Sequence, residues 1–304
     1  MDVAWQGVYP AMLTPFTPDD TVDMPLFDRN LDAMLTAGVD GIILAGSLGE
    51  ASTLSSGEKE ILVARALERC KGQTPVILNI AEASTREAVA QARLGEAWGA
   101  DGLMLLPPMR YRSDDRETVR HFQAVADATR LPIMIYNNPV DYGIRITLDM
   151  FAELVRHDNI TAVKESTRDV TNVTRLRNRF GDRLRILCGV DTLALEELLL
   201  GADGWVAGLV DAFPKETVAI FRLARAGRRA EAVDIYRWFM PLLELDIHPK
   251  LVQYIKLAAA ETGIGSENVR APRLPLEGEE RDRILSAIRE GIRTRPALPE
   301  YLHL

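Results

Sequence analysis

What most constrains the fold of this chain is a repeating beat. A short apolar run is followed by a longer stretch with helical periodicity, and the pair recurs as far as about Gly227. The apolar runs fall at residues 7–13, 41–45, 75–80, 102–106, 132–136, 160–164, 184–188 and 204–208. Runs this short, rich in β-branched and small side chains and nearly free of charge, predict strands buried on both faces, the habit of parallel sheets. The stretches between them predict helices. One spans 25–37 and is closed by Gly38, and others open with Ser55-Ser56-Gly57-Glu58 and Ser84-Thr85-Arg86-Glu87, where serine and glutamate can satisfy each other's orphan amides. Three junctions share a signature: Ala37-Gly38-Val39-Asp40-Gly41, Gly99-Ala100-Asp101-Gly102 and Gly201-Ala202-Asp203-Gly204. It predicts a glycine cap followed by a tight turn into a strand. Eight βα units predict an α/β chain folded as a (β/α)8 TIM barrel over residues 1–227. Beyond that the strand signal stops. Helical spacing at 229–245, 249–262 and 279–293 predicts a C-terminal helical extension over 228–304.

Composition narrows the classes of function. With 36 basic and 44 acidic residues the formal charge is −8, which gives no broad electrostatic reason to bind nucleic acid or an anionic membrane. A small molecule is the expected partner. No apolar stretch reaches the roughly 18 residues of a membrane span, and Met1-Asp2-Val3-Ala4-Trp5 has neither a basic nor an apolar leader region, so a cytoplasmic location is expected. Cys70 and Cys188 are too few for a disulfide scaffold and are expected to be buried. The histidines at 121, 157, 248 and 303 show neither an HxH nor an HExxH pattern. No metal is expected.

In a barrel of this kind chemistry belongs to the strand ends and the loops after them. The run Ile160-Thr161-Ala162-Val163 ends in Lys164, one of only six lysines, the others being 59, 71, 215, 250 and 256 in segments that read as helix or loop. A lysine at a strand end in apolar surroundings loses ammonium solvation and becomes a nucleophile toward carbonyls; it can also simply snorkel into water. The second run is followed by Gly46-Ser47-Leu48-Gly49-Glu50, whose amides suit a carboxylate or phosphate, though a plain βα turn fits as well. The fifth ends in Tyr136-Asn137-Asn138-Pro139. There a phenol could trade protons beside the lysine of the next strand, or only pack.

Taken together, GSLGE at 46–50, YNNP at 136–139 and VKES at 163–166 resemble the dihydrodipicolinate synthase and N-acetylneuraminate lyase superfamily over essentially the whole chain. The resemblance implies that Lys164 is the Schiff-base residue and Tyr136 the proton-transfer group. It further implies that Ser47 and the Leu48 amide cradle the carboxylate of a 2-oxo acid or cyclic imine, and that Gly189 and Val206 line the pocket. A homotetramer built as a dimer of dimers is implied as well. There are departures. Asp141 stands where the synthase has an arginine, Pro108 and Met109 where it has a loop tyrosine pair, and Leu48 where it has a second threonine. Loss of the tyrosines is expected to remove a proton relay through the first loop hydroxyl. The loop Leu105-Leu106-Pro107-Pro108-Met109 is similar to those of dehydratase and deaminase branches. With the tail run DIHPKLVQY at 246–254, the chain most resembles the branch that deaminates 1-pyrroline-4-hydroxy-2-carboxylate in bacterial hydroxyproline breakdown. The expected reaction yields 2,5-dioxopentanoate and ammonia without a cofactor. A 2-keto-3-deoxy sugar acid dehydratase, a pyruvate-dependent aldolase or synthase, and a catalytically silent ligand-binding barrel remain open alternatives.

Overall fold

The computed structural model describes residues 3–108 and 111–304; Met109, named above in the loop after the fourth strand, lies outside the described residues. Eight strands form one parallel sheet: β1 (Gly7–Pro10), β2 (Ile42–Leu44), β3 (Val76–Ile80), β4 (Gly102–Leu105), β5 (Ile133–Asn137), β6 (Ile160–Glu165), β7 (Arg185–Cys188) and β8 (Gly204–Ala207). Their order, β1-β8-β7-β6-β5-β4-β3-β2, runs in sequence around a ring. The remaining seam is bridged where Ala11 pairs in parallel with Ile43 and the Met12 amide donates to the Ile43 carbonyl at 2.9 Å. The result is the nearly closed (β/α)8 barrel that the repeating beat predicts. Side chains fill its inside and helices cover its outside, so its strands carry almost no exposed position and read as unbroken apolar runs.

The shared junction signature has a structural reason beyond the turn. Gly38, Gly99 and Gly201 take φ of 86°, 87° and 103°, the left-handed conformation that a side chain disfavours. Each following aspartate then reaches the amide at the foot of the preceding strand. Asp40 accepts from Val8 N–H at 2.8 Å, Asp101 from Val76 N–H at 2.9 Å and Asp203 from Ile186 N–H at 2.8 Å. The signature thus locks the bottom of the barrel, away from the site. Of the two expected capping boxes, only one closes. Ser55 and Glu58 exchange hydrogen bonds at 2.8 and 3.3 Å. At Ser84 the hydroxyl accepts from Glu87 N–H at 3.2 Å, but the Glu87 carboxylate takes the Ser84 hydroxyl and not its amide. Ser84 sits at φ −134° against −71° for Ser55, which turns that amide away.

The C-terminal extension contains the helices Arg229–Leu243, Leu251–Glu261 and Gly278–Arg293. Ile235, Phe239, Leu242, Ile255 and Leu257 join the same buried apolar cluster as the barrel side chains. Phe213, at the start of the last barrel helix, meets Phe239 edge to face with ring centroids 5.4 Å apart. The first helix of the extension ends two residues earlier than its periodicity suggests, in the tight turn Glu244–Ile247. That turn carries the chain back over the mouth of the barrel.

Candidate active site

One cavity of about 640 Å³ opens at the carboxyl ends of the strands, and all six residues singled out from sequence line it: Ser47, Leu48, Tyr136, Lys164, Gly189 and Val206. The strand register explains why. Tyr136 and Lys164 are direct partners across β5 and β6, and in a parallel pair residues at one level point to the same face. Here that face is the inside of the barrel.

Lys164 is 7% exposed, and its amine stands 4.2 Å from the centroid of the Tyr136 ring. Among the described residues it forms no hydrogen bond and no ion pair. Its ammonium form is destabilised: removal from water pushes its pKa down, while Asp246, Tyr142 and Asp191 oppose the shift from a distance. Three buried lysines can be compared. Lys59 is bound to Glu82 at 2.9 Å, and Lys256, only 1% exposed, is paired with Glu50 at 2.5 Å and donates to the Asn268 carbonyl at 2.6 Å. Of these three, only Lys164 has an amine left uncommitted among the described residues.

The three residues of Tyr136-Asn137-Asn138 divide their work by strand alternation. Asn137 points away from the cavity: its side-chain amide donates to the Glu165 carboxylate at 3.2 Å, and its side-chain carbonyl accepts the Ile146 amide at 3.0 Å. Glu165 also takes Asn172 at 2.9 Å and the Thr167 amide at 2.9 Å, which fixes the ends of β5 and β6 relative to each other. Asn138 caps the short helix Pro139–Tyr142, and its side chain donates to Tyr136 Oη at 3.1 Å and to Asp141 at 2.7 Å. Burial pushes the Tyr136 hydroxyl up to about 12 despite the Asn138 bond, so the phenol stays protonated at neutral pH.

The same helix delivers Tyr142, a residue that the sequence did not single out. Its hydroxyl lies 2.5 Å from Ser47 Oγ, and its ring packs edge to face on Tyr136 with centroids 5.5 Å apart. Ser47 therefore has a phenolic partner after all, supplied six residues after Tyr136 by the same chain rather than by the loop after β4. The loop hydroxyl thus keeps a phenolic neighbour although the loop tyrosines are absent, while among the described residues no hydrogen bond joins the Tyr136 hydroxyl to Ser47 or Tyr142. Tyr142 sits on a short helix capped by Asn138 and ended by Gly143 at φ 72°, and no sequence motif marked which way it would face.

The Gly46–Glu50 turn is tightly held, with the Thr14 hydroxyl on the Gly49 carbonyl at 2.8 Å and the Asn79 side chain on the Ala45 carbonyl at 2.9 Å. A Cβ on Gly49 would stand 2.8 Å from the Met12 carbonyl oxygen, so that glycine is required by close backbone approach. The Ser47 and Leu48 amides donate to no group among the described residues. At Gly189 a Cβ would fall 2.1 Å from Ser166 Oγ and 2.7 Å from Lys164 Cε, so the lysine stem occupies the space that the missing side chain leaves.

Two further groups come from outside the strand-end motifs. Asp246, in the Glu244–Ile247 turn, faces into the cavity; Arg168, at φ 59°, stands at its rim 3.9 Å from Asp141. The tail run containing Asp246 was legible as a similarity, but not as a wall of the cavity.

The dihydrodipicolinate synthetase family model matches residues 4–290. The chain is 33% identical over 275 residues to a 4-hydroxy-tetrahydrodipicolinate synthase of Exiguobacterium sibiricum, covering 90% of this chain and 92% of that protein. It is 30% identical to an uncharacterized DapA-like lyase of Rhizobium meliloti, covering 95% of each. Among solved structures, the 4-hydroxy-tetrahydrodipicolinate synthase of Methylacidiphilum fumariolicum SolV superposes with a TM-score of 0.88 at 31% identity, covering 95% of this chain and 97% of that one. With the family model spanning nearly the whole barrel and extension, and with the cavity built on its strand ends, this chain belongs to the dihydrodipicolinate synthetase family of lyases.

Proposed function

We propose that the protein is a Schiff-base lyase in which Lys164 is the nucleophile, and that its reaction is the deamination of 1-pyrroline-4-hydroxy-2-carboxylate. The observation that carries the first part is the uncommitted, poorly solvated amine of Lys164 against Tyr136. The Ser47 and Leu48 amides, without an acceptor among the described residues, suit a carboxylate beside the reacting carbon, and Val206 lines the same cavity. In the proposed sequence the neutral amine adds to C2 of the ring, and the C2–N bond breaks to leave an open-chain protein-bound imine. The C3 proton then departs through Tyr136, which stays a phenol by passing its own proton on to the amine freed by ring opening; the Ser47–Tyr142 hydroxyl pair lies beside it. The electron pair passes into the imine and back, expelling the C4 hydroxyl. Tautomerisation and hydrolysis at C5 release ammonia; hydrolysis at C2 releases 2,5-dioxopentanoate and frees Lys164. The bonds are exchanged without oxidation or reduction.

The elimination reading draws on Asp141, which stands where the synthase resemblance expects an arginine and is already engaged by Asn138 and Arg168. A second reading, a synthase joining pyruvate to an aldehyde, draws on the two 4-hydroxy-tetrahydrodipicolinate synthases to which the chain is 33% and 31% identical. Both keep Lys164 and Tyr136. The deciding assay runs the hydroxy-pyrroline carboxylate, a 2-keto-3-deoxy sugar acid, and pyruvate with an aldehyde in parallel. Ammonia from the first alone supports the deaminase. Water loss from the sugar acid, or pyruvate consumed with the aldehyde, assigns the site to a sister reaction, and no turnover or adduct with any of them supports a silent binding barrel. The dimer-of-dimers tetramer belongs to the same proposal, with light scattering as its check.

Gly189 offers a separate test of the lysine geometry. Gly189→Ala must displace the Lys164 stem, and shifting a reacting atom by about 1 Å costs on the order of a hundredfold. The variant is expected to lose about that much in the rate of borohydride-trapped adduct while its fold, read by circular dichroism, is unchanged. An unchanged trapping rate counts against the geometry.

A further inference from the structure

Elimination from C4 needs an acid as well as a base, because hydroxide is a poor leaving group and water a good one. The Lys164, Tyr136, Ser47 and Tyr142 groups account for imine formation and for the C3 proton, and none of them is assigned to the leaving oxygen. Resting on the deaminase reading above, we propose that Asp246 is the acid that protonates the departing C4 hydroxyl, from the wall of the cavity contributed by the C-terminal extension.

The carboxyl is built into the site. Asp246 is carried by the Glu244–Ile247 turn and lines the same cavity as Lys164 and Tyr136. Its seat is made by Gly208, just after β8: a Cβ there would stand 2.4 Å from Asp246 Oδ1. Its own hydrogen bonding is sparse. Among the described residues its single partner is the Asp191 amide, at the limiting distance of 3.5 Å to Oδ2.

The other acids near the cavity are already committed. Asp191 receives Trp205 Nε1 at 2.9 Å, the Gly208 amide at 3.1 Å and the Leu209 amide at 2.8 Å, so both its oxygens serve to hold the loop after β8. Asp141 receives the Asn138 side chain at 2.7 Å and its own amide is tied to Asn138 at 3.1 Å, with Arg168 nearby. Among the described acids lining the cavity, Asp246 is the one with an open coordination.

Its environment favours the form that can donate. Although part of its surface stays open to the cavity, the surrounding walls remove enough water to hold its carboxyl well above the usual carboxylate range; Asp191 pushes in the same direction and Lys164 opposes it. Lys164 is shifted toward its neutral form in the same space. Later the C4–O bond breaks, its electron pair goes to oxygen, and that oxygen takes the Asp246 proton to leave as water. Asp246 ends as carboxylate and takes up its next proton from the solvent that enters the open cavity between turnovers.

The test is a single-turnover experiment with the hydroxy-pyrroline carboxylate, quenched with borohydride and read by mass on Lys164. In the unsubstituted protein the trapped adduct is expected mainly after elimination. In Asp246→Asn, which keeps the volume and loses the transferable proton, the adduct is expected to form but to retain its hydroxyl, and ammonia release is expected to fall by about a hundredfold or more. Asp246→Glu is expected to recover part of the loss. Formation of the adduct reports that the variant is folded and its lysine active. If Asp246→Asn releases ammonia at the unsubstituted rate with no hydroxyl-bearing adduct accumulating, the assignment is overturned while the deaminase reading stands. If the unsubstituted protein forms no adduct with this substrate, the reading itself fails and the assignment fails with it.

Discussion

A Lys164→Met protein is expected to lose turnover by on the order of 10⁴-fold or more, since removing a covalent nucleophile leaves only binding and polarisation by the remaining groups. Borohydride trapping should give no adduct at position 164. The methionine retains an unbranched stem in the groove left by Gly189, so packing around β6 and β7 is preserved. The substitution also removes a group that the site holds at a cost, an amine with no partner among the described residues and little water. Thermal stability is therefore expected to stay level or rise. The pH dependence follows from the same cause. The neutral amine exists above its pKa, and burial moves that pKa down, so adduct formation should persist to lower pH than a solvent-exposed lysine would allow. An adduct in the Met variant, or an acid limb at the position of an ordinary lysine, would count against the assignment of the nucleophile.

The second large effect concerns stability and falls on Lys256. This amine and the Glu50 carboxylate, 1% and 0% exposed, form a buried pair between the turn after β2 and the helix Leu251–Glu261. The amine also stands 4.4 Å from the centroid of the Phe16 ring. Lys256→Met leaves Glu50 with the Arg270 amide at 3.1 Å and the Arg273 guanidinium at 3.6 Å, which only partly replace the lost charge. Stranding one member of a buried pair typically costs about 3–5 kcal/mol, whereas replacing both by neutral groups of similar size is often close to neutral. The single variant is thus expected to lose roughly 5–20 °C in Tm. Adding Glu50→Gln should restore much of it. Because the Glu50 turn also holds Ser47 and Leu48, the single variant should weaken substrate binding before it unfolds. A single variant as stable as the original, by calorimetry, would mean that the arginines carry the turn.

The contrast between these two lysines shows where sequence reasoning reaches and where it stops. Strand-end position marked Lys164, and the register of β5 and β6 made Tyr136 its neighbour; both follow from local periodicity and chain order. Lys256 reads as an ordinary helical lysine, yet it is the more deeply buried of the two. Its partner lies more than two hundred residues away, and no local pattern records that meeting. Tyr142 is a similar case: no motif marked it, and its contact with Ser47 depends on how the loops after β2 and β5 converge.

From the sequence alone came the eightfold alternation, the barrel, the cap-and-turn signature and the two residues at the reactive strand ends. These depend on interactions a few residues long, or on a ring order that the chain's own sequence imposes. Only the tertiary structure decided which lysine is uncommitted, which tyrosine meets Ser47, and that Asp246 closes the cavity. Those outcomes depend on side chains brought together by packing, where the extension folds back over the barrel and the distance along the chain ceases to matter.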